Sequence, residues 1–188
     1  MSGRGNFEEA VRAQQAWLSA LELTDNPETA GTPERVTRFW REKLLSGYNE
    51  DPREALGPPL SSVVSGVICV QNVPFHSVCP HHLVPYFGQV DLAFEPNESI
   101  LGLGRFERLV AACSRMLILQ EQLTQTLASH LNEHIAPQGV LCRVRAQHLC
   151  FMLTGREPRG TEMVTWRGIG SLERQYDVFS KTQSTEHT

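Results

Sequence analysis

No stretch of this sequence approaches the roughly 18 consecutive apolar residues that a bilayer-crossing helix needs. The opening Met1-Ser2-Gly3-Arg4-Gly5-Asn6 also lacks the apolar core of a secretory signal. A cytoplasmic protein with no membrane partner is expected. There is no excess of basic residues: 17 Lys and Arg stand against 21 Asp and Glu, for a net charge of −4. That balance excludes a global field for nucleic acid, while leaving room for a local basic cluster around a small anionic substrate. Cysteine is scarce and odd in number: Cys69, Cys79, Cys113, Cys142 and Cys150. With no export signal, this argues against a disulfide framework. Cys69, Cys113 and Cys142 lie in apolar patterns and are expected to be buried packing residues. Internal repeats and low-complexity tracts are absent too.

What remains is ordinary globular material, 40% hydrophobic and 20% charged in 188 residues, enough for one domain with a helical appendage. A first helix is expected over residues 7 to 23, with Val11, Trp17, Leu18 and Leu21 as its apolar stripe. A second follows Gly31, with Thr32 as N-cap and Pro33 in the first turn, carrying Val36, Phe39, Trp40 and Leu44 up to Gly47. Residues 50 to 60 hold three prolines and read as an extended arm. Strands are expected over Val63 to Val73, over Gly88 to Glu95, over Val140 to Met152 and from Glu162 to Gly168. Between the second and third lie two helices, Arg105 to about Met116 and Gln120 to Ile135. In the latter, Leu123, Leu127, Leu131 and Ile135 recur every four residues. The expected order is ββααββ in an α+β fold. Residues 1 to 60 form an N-terminal helical extension and arm, 61 to 174 the catalytic domain, and 175 to 188 a frayed polar tail.

Two distant segments concentrate the chemistry: Cys79-Pro80-His81-His82 and His148-Leu149-Cys150. A thiolate and an imidazole three residues apart can bind one metal ion. On a strand, His148 and Cys150 share a face with Cys142, Val144 and Ala146, which places them at the end of a buried stripe. Zinc favours sulfur and nitrogen ligands in a tetrahedron, and a catalytic site keeps one position for water. Cys79, His82 and Cys150 would give three ligands. His81 and His148 would then be free to move protons near neutral pH. On spacing alone, a closed structural zinc site or no metal at all remains open.

The chain resembles GTP cyclohydrolase I in several segments, in the family's order. These are Gly31-Thr32-Pro33-Glu34-Arg35-Val36, Ser46-Gly47-Tyr48, and Cys79 through Gly88. They continue with Leu101 through Val110, Leu119-Gln120-Glu121-Gln122-Leu123-Thr124, and His148-Leu149-Cys150. The resemblance covers roughly residues 15 to 170. It implies the tunnelling fold, two antiparallel helices between strand pairs, and a homo-oligomeric toroid, usually a decamer, with active sites at subunit interfaces. The implied reaction is zinc-dependent hydrolytic opening of the imidazole ring of GTP, with loss of C8 as formate. An Amadori rearrangement and closure to 7,8-dihydroneopterin triphosphate follow. The resemblance makes Cys79, His82 and Cys150 the zinc ligands, and gives His81 and His148 proton-transfer roles at N7 and at the ribose ring oxygen. Gln120 and Glu121 match the guanine-reading pair, and Arg105 and Arg108 the basic pair on the triphosphate.

The chain departs from that pattern where phosphate and ribose are handled. Gly104 stands where the family has Ser, Thr154 where it has a phosphate-holding Arg, Pro80 for Glu and Ile118 for Gln. Trp166 adds bulk to a strand usually rich in Ser and Thr. Arg156 or Arg159 could stand in for the missing arginine. Two alternatives follow: a divergent enzyme that takes another purine or stops after ring opening, and a non-catalytic oligomer that keeps zinc for structure.

Overall fold

The computed structural model describes residues 5–154 and 160–181. The N-terminal extension is helical. Helix α1 (Phe7–Ala20) is capped by Asn6, whose side chain accepts from the Glu9 N–H at 3.2 Å, with Glu8 and Glu9 favoured in the first turn by the helix dipole. Of its expected stripe only Leu18 is buried, while Trp17 and Leu21 are more than half exposed. Helix α2 (Thr32–Phe39) runs directly into a π-turn, Trp40–Leu44. Its cap is Gly31 at φ +75°, not Thr32. The left-handed glycine turns the chain one residue early, and the Thr32 hydroxyl instead accepts from Arg35 Nη2 at 2.9 Å. The expected arm contains a helix, α3 (Pro52–Leu56), started by the Asp51 side chain on the Arg53 N–H and by proline at the first position. Its Leu56 is fully buried in the main core.

Next come β1 (Leu60–Ser61), β2 (Ile68–Val78), β3 (Pro85–Glu95) and β4 (Ser99–Ile100), with β1 and β4 making a small antiparallel pair. β2 begins five residues later than the β-branched run suggests, because Gly66 at φ +98° breaks the extended path. It then runs on to Val78 through a register shift between Val70 and Val73, where Asn72 sits at φ +61° and its N–H is held by Asp91 Oδ1 at 2.8 Å. Helices α4 (Gly104–Ser114) and α5 (Gln120–Ile135) follow, then β5 (Gly139–His148), α6 (Leu149–Met152), β6 (Met163–Gly170) and α7 (Val178–Lys181). The large sheet is antiparallel in the order β2-β3-β5-β6. This ββααββ arrangement is the tunnelling fold.

The sheet buries both faces. Val90, Leu92, Val144 and Ala146 meet Leu109, Leu123, Leu127 and Leu131 of the two long helices in the main core. On the other face Ala93 and Leu141 pack with Leu172 and Phe179. Phe179 is fully buried, so the frayed tail expected after Arg174 is an ordered return across the sheet as far as α7. The same face carries fully buried Asp91, paired with Arg143 at 2.7 Å. The Arg143 guanidinium lies 5.1 Å from the Trp166 ring and 4.8 Å from the Phe179 ring, and these two rings stack on each other. A buried carboxylate needs such a partner, and the charge alternation along β3 and β5 supplies it. Among the described residues no helix is long and apolar enough to cross a membrane.

Candidate metal centre and substrate pocket

The loop 79–84 joins β2 to β3. The Cys79 N–H donates to the Val84 carbonyl at 3.0 Å, and the Leu83 N–H donates to the Cys79 carbonyl at 2.9 Å. Leu83 at φ +53° closes this turn, a conformation that costs a branched residue on the order of 1 kcal/mol or more. The base of the loop is fixed to the entry of α5: the Val78 N–H donates to Met116 O and the Ile118 N–H to Val78 O, each at 3.3 Å. Thus the Cys79 loop and the Gln120-Glu121 helix start are held together by backbone.

Cys79 is buried, and its Sγ lies 3.7 Å from His82 Nδ1. Ligand atoms of Cys79, His82 and Cys150 all fall within 4.8 Å of one another. For zinc–sulfur and zinc–nitrogen bonds near 2.3 and 2.05 Å, the tetrahedral edge is about 3.6 Å, so the pair within the loop already has the required spacing. Burial and the neighbouring Cys79 thiol push the Cys150 thiol above its ordinary value. A divalent cation bound between the two sulfurs would favour their deprotonated, ligating form. The residues fit a divalent ion of zinc type, and among the described residues this is the only such cluster.

Strand phase does not deliver Cys150 as expected. β5 ends at His148, and Cys150 occupies the helical turn α6. A continuing strand would have carried the thiol away from the loop; the turn brings it back toward Cys79. His148 itself is the last strand residue and pairs with Tyr86 across β3. The two rings stack at 4.5 Å with planes 3° apart. Tyr86 is buried, donates its O–H to Ile118 O at 2.9 Å, and is pushed up to about 12, by burial first. Burial lowers the His148 pKa, and the Glu121 carboxylate partly opposes this.

Gln120 is almost fully buried. Its Nε2 donates toward Val144 O at 3.1 Å, Met163 O at 3.0 Å and Thr165 Oγ1 at 3.2 Å, and its Oε1 lies 2.8 Å from His148 Nε2. Gln120 borders a pocket of about 370 Å³, into which Cys79, His81, His82, Glu121, His148 and Cys150 converge. Tyr86, Glu162 and Met163 also line it and were not anticipated. Tyr86 was readable in principle, since the antiparallel register puts it opposite His148.

Other expected residues lie apart. Arg105 and Arg108 sit on α4 and do not line the pocket; Arg105 places its guanidinium against the backbone of Gly57, and Arg108 is exposed. The described lining holds no lysine or arginine. Gly104 is exposed, and a Cβ added there would meet nothing within 4 Å. The Thr154 hydroxyl donates to Phe151 O at 2.8 Å within its own turn. Arg156 and Arg159 lie outside the described residues. Trp166 points to the sheet face opposite the helices, so its bulk does not enter the pocket, whereas Thr165 faces Gln120.

The family model for GTP cyclohydrolase I matches residues 8–186. The chain is similar to GTP cyclohydrolase 1 of Streptococcus thermophilus strain CNRZ 1066, 37% identical over 176 residues, covering 90% of this chain and 94% of that one. It is also similar to GTP cyclohydrolase 1 of Wolinella succinogenes, 36% identical over 144 residues and 76% of each chain. Among solved structures, the archaeosine synthase QueF-Like in the apo form matches with a TM-score of 0.45 and 18% identity, over 58% of this chain and 97% of that chain.

Proposed function

The chain belongs to the GTP cyclohydrolase I family, and from that premise we propose that it is a cytoplasmic hydrolase that opens the imidazole ring of GTP, releases formate and closes 7,8-dihydroneopterin triphosphate. One observation carries the reading. The soft-donor triad Cys79, His82 and Cys150 shares a pocket with two further histidines and a carboxylate on a helix N-terminus. Zinc held by the triad would supply a Lewis acid and an activated water at C8. Around it, His81 is exposed in the same loop and placed to protonate N7 as the ring C–N bond breaks. His148, stacked on Tyr86, serves the later proton transfers at the ribose ring oxygen. The Glu121 carboxylate accepts from both N1–H and the exocyclic amine of guanine, a two-point fit that adenine cannot offer.

The triphosphate needs cations that the described lining lacks. We assign this role to Arg105 and Arg108 of another copy of the chain, in a homo-oligomeric toroid with its sites between subunits. In their own chain the two arginines lie on α4, outside the described pocket lining.

Zinc-loaded protein incubated with GTP tests the reading, with formate and product mass followed together. Formate with a fluorescent pterin is expected. A second reading, an enzyme that opens a purine but stops early or takes another purine, is favoured by Gly104 and by the Thr154 hydroxyl being turned onto its own helix. Formate without pterin, or turnover of a different purine in a panel, would select it. Zinc binding with no purine turnover would leave a non-catalytic oligomer.

A further inference from the structure

Gln120 has an orientation that only one arrangement of protons satisfies. Its terminal nitrogen faces the backbone carbonyls of Val144 and Met163 at 3.1 and 3.0 Å. Carbonyl oxygens only accept, so the atom turned toward them must be the amide NH2; a flipped amide would bring three oxygens together. Thr165 agrees. The Thr124 hydroxyl donates to Gln120 O at 2.8 Å, so the 2.6 Å contact between Thr124 and Thr165 takes its proton from Thr165. Thr165 Oγ1 is then left to accept from Gln120 Nε2. The carboxamide oxygen is thereby fixed toward His148 Nε2 at 2.8 Å, and because that oxygen too can only accept, His148 Nε2 must carry the hydrogen. The stacked Tyr86 ring fixes the plane in which this bond is made.

We propose that Gln120 is a positioning residue rather than a reader of the base: with Thr165 behind it, its carboxamide oxygen accepts from His148 Nε2–H and fixes the ring with Nδ1 turned away from Gln120. This rests on the reading of His148 as a proton carrier. Base recognition then falls to Glu121, whose carboxylate has no such internal partners among the described residues. The sequential neighbours Gln120 and Glu121 divide the work by side-chain direction, one buried and one exposed at the start of α5.

The test separates this inference from the proposed reaction, because its first readout is not turnover. In zinc-loaded protein labelled with ¹⁵N-histidine, solid-state ¹⁵N spectra distinguish the two neutral tautomers, and a His148→Asn variant identifies the His148 signals by their loss. The expected wild-type state is protonated Nε2 and unprotonated Nδ1; in Gln120→Ala both tautomers are populated. A wild-type Nδ1–H tautomer, or an unchanged spectrum in Gln120→Ala, overturns the proposal. Kinetics give the second readout: kcat for GTP falls about 100-fold in Gln120→Ala while KM changes less than about threefold. A raised KM with kcat retained would return Gln120 to base reading. Should Gln120→Ala fail to fold, Thr165→Val loosens the same amide, with a smaller loss in kcat that Thr165→Ser recovers. Loss without that recovery counts against the network. If the wild type does not turn over GTP, the tautomer measurement still stands or falls by itself.

Discussion

At the metal centre, side chains converge from the 79–84 loop, β5, α6 and the start of α5, each held by backbone bonds or by a stacked neighbour. On α4, by contrast, Arg105, Arg108 and the open position at Gly104 lie in the same chain but outside the pocket. The contrast separates two tasks. Bond breaking needs groups fixed within fractions of an ångström, and the ends of the central strands and the hairpin loop supply that inside one chain. Holding a triphosphate needs positive charge at a distance, which a neighbouring copy can bring. The first region is pre-organised by folding, and on the proposed function the second is completed by a neighbouring copy.

The largest effect should come from breaking the pre-organised half. Cys150→Ala is expected to lower formate release by about 1000-fold, because losing the metal's several kcal/mol of charge stabilisation costs a factor of ten per 1.4 kcal/mol. Circular dichroism should stay native, since Cys150 lies in a short surface turn. Wild-type rates in this variant would remove the triad from the mechanism.

Next is Gly88, which holds β3 against β5. A Cβ there would lie 1.9 Å from the Arg145 carbonyl oxygen, a backbone atom that cannot give way without opening the ladder. Gly88→Ala should destabilise the fold by about 3 kcal/mol and weaken Tyr86–His148 stacking with it, read as a lower denaturant midpoint. An unchanged midpoint would mean that the strand ends are not rigid.

The assembled half is probed by mixing. Arg108→Ala alone should weaken GTP binding by about 1.5–3 kcal/mol, seen in KM. When Cys150→Ala and Arg108→Ala proteins are dissociated and reassembled together and assayed at GTP well below the Arg108→Ala KM, about a quarter of the sites should pair an intact triad with an intact α4 and turn over at the wild-type rate. No recovery in a reassembled oligomer would place both halves of each site in one chain. The smallest effect is at Gly104. Gly104→Ser meets no neighbour and should add about 0.5 kcal/mol through helix propensity. A steric loss of stability there would show that another chain already fills the space.

Much of this contrast was legible in the sequence. The four-residue spacing from Leu123 to Ile135 located α5 with its ends, and all four residues are buried. The ββααββ succession of elements and the Cys79, His82 and Cys150 grouping also follow from pattern and motif. What was not legible depended on tertiary partners. The burial of Asp91 is one case: the alternation Val90-Asp91-Leu92 does not show that Leu172 and Phe179 cover its face or that Arg143 neutralises the charge. Cys150 continued an alternating pattern that the chain abandons for a helical turn. Gln120 looked like half of a base-reading pair, and only the packing of β6 against α5 shows its amide engaged on the protein side. Trp17 and Phe39 had the spacing of core residues yet remain exposed, since a helix stripe does not say whether its partner lies within the same chain.

The most direct test is to titrate metal-stripped protein with zinc while measuring bound zinc and formate release from GTP in the same samples. Both should rise together and saturate at one zinc per chain in the wild type, with Cys150→Ala gaining neither. Formate release at full rate before zinc is added, or in Cys150→Ala with no bound zinc, would contradict the assignment of ring opening to the Cys79, His82 and Cys150 centre.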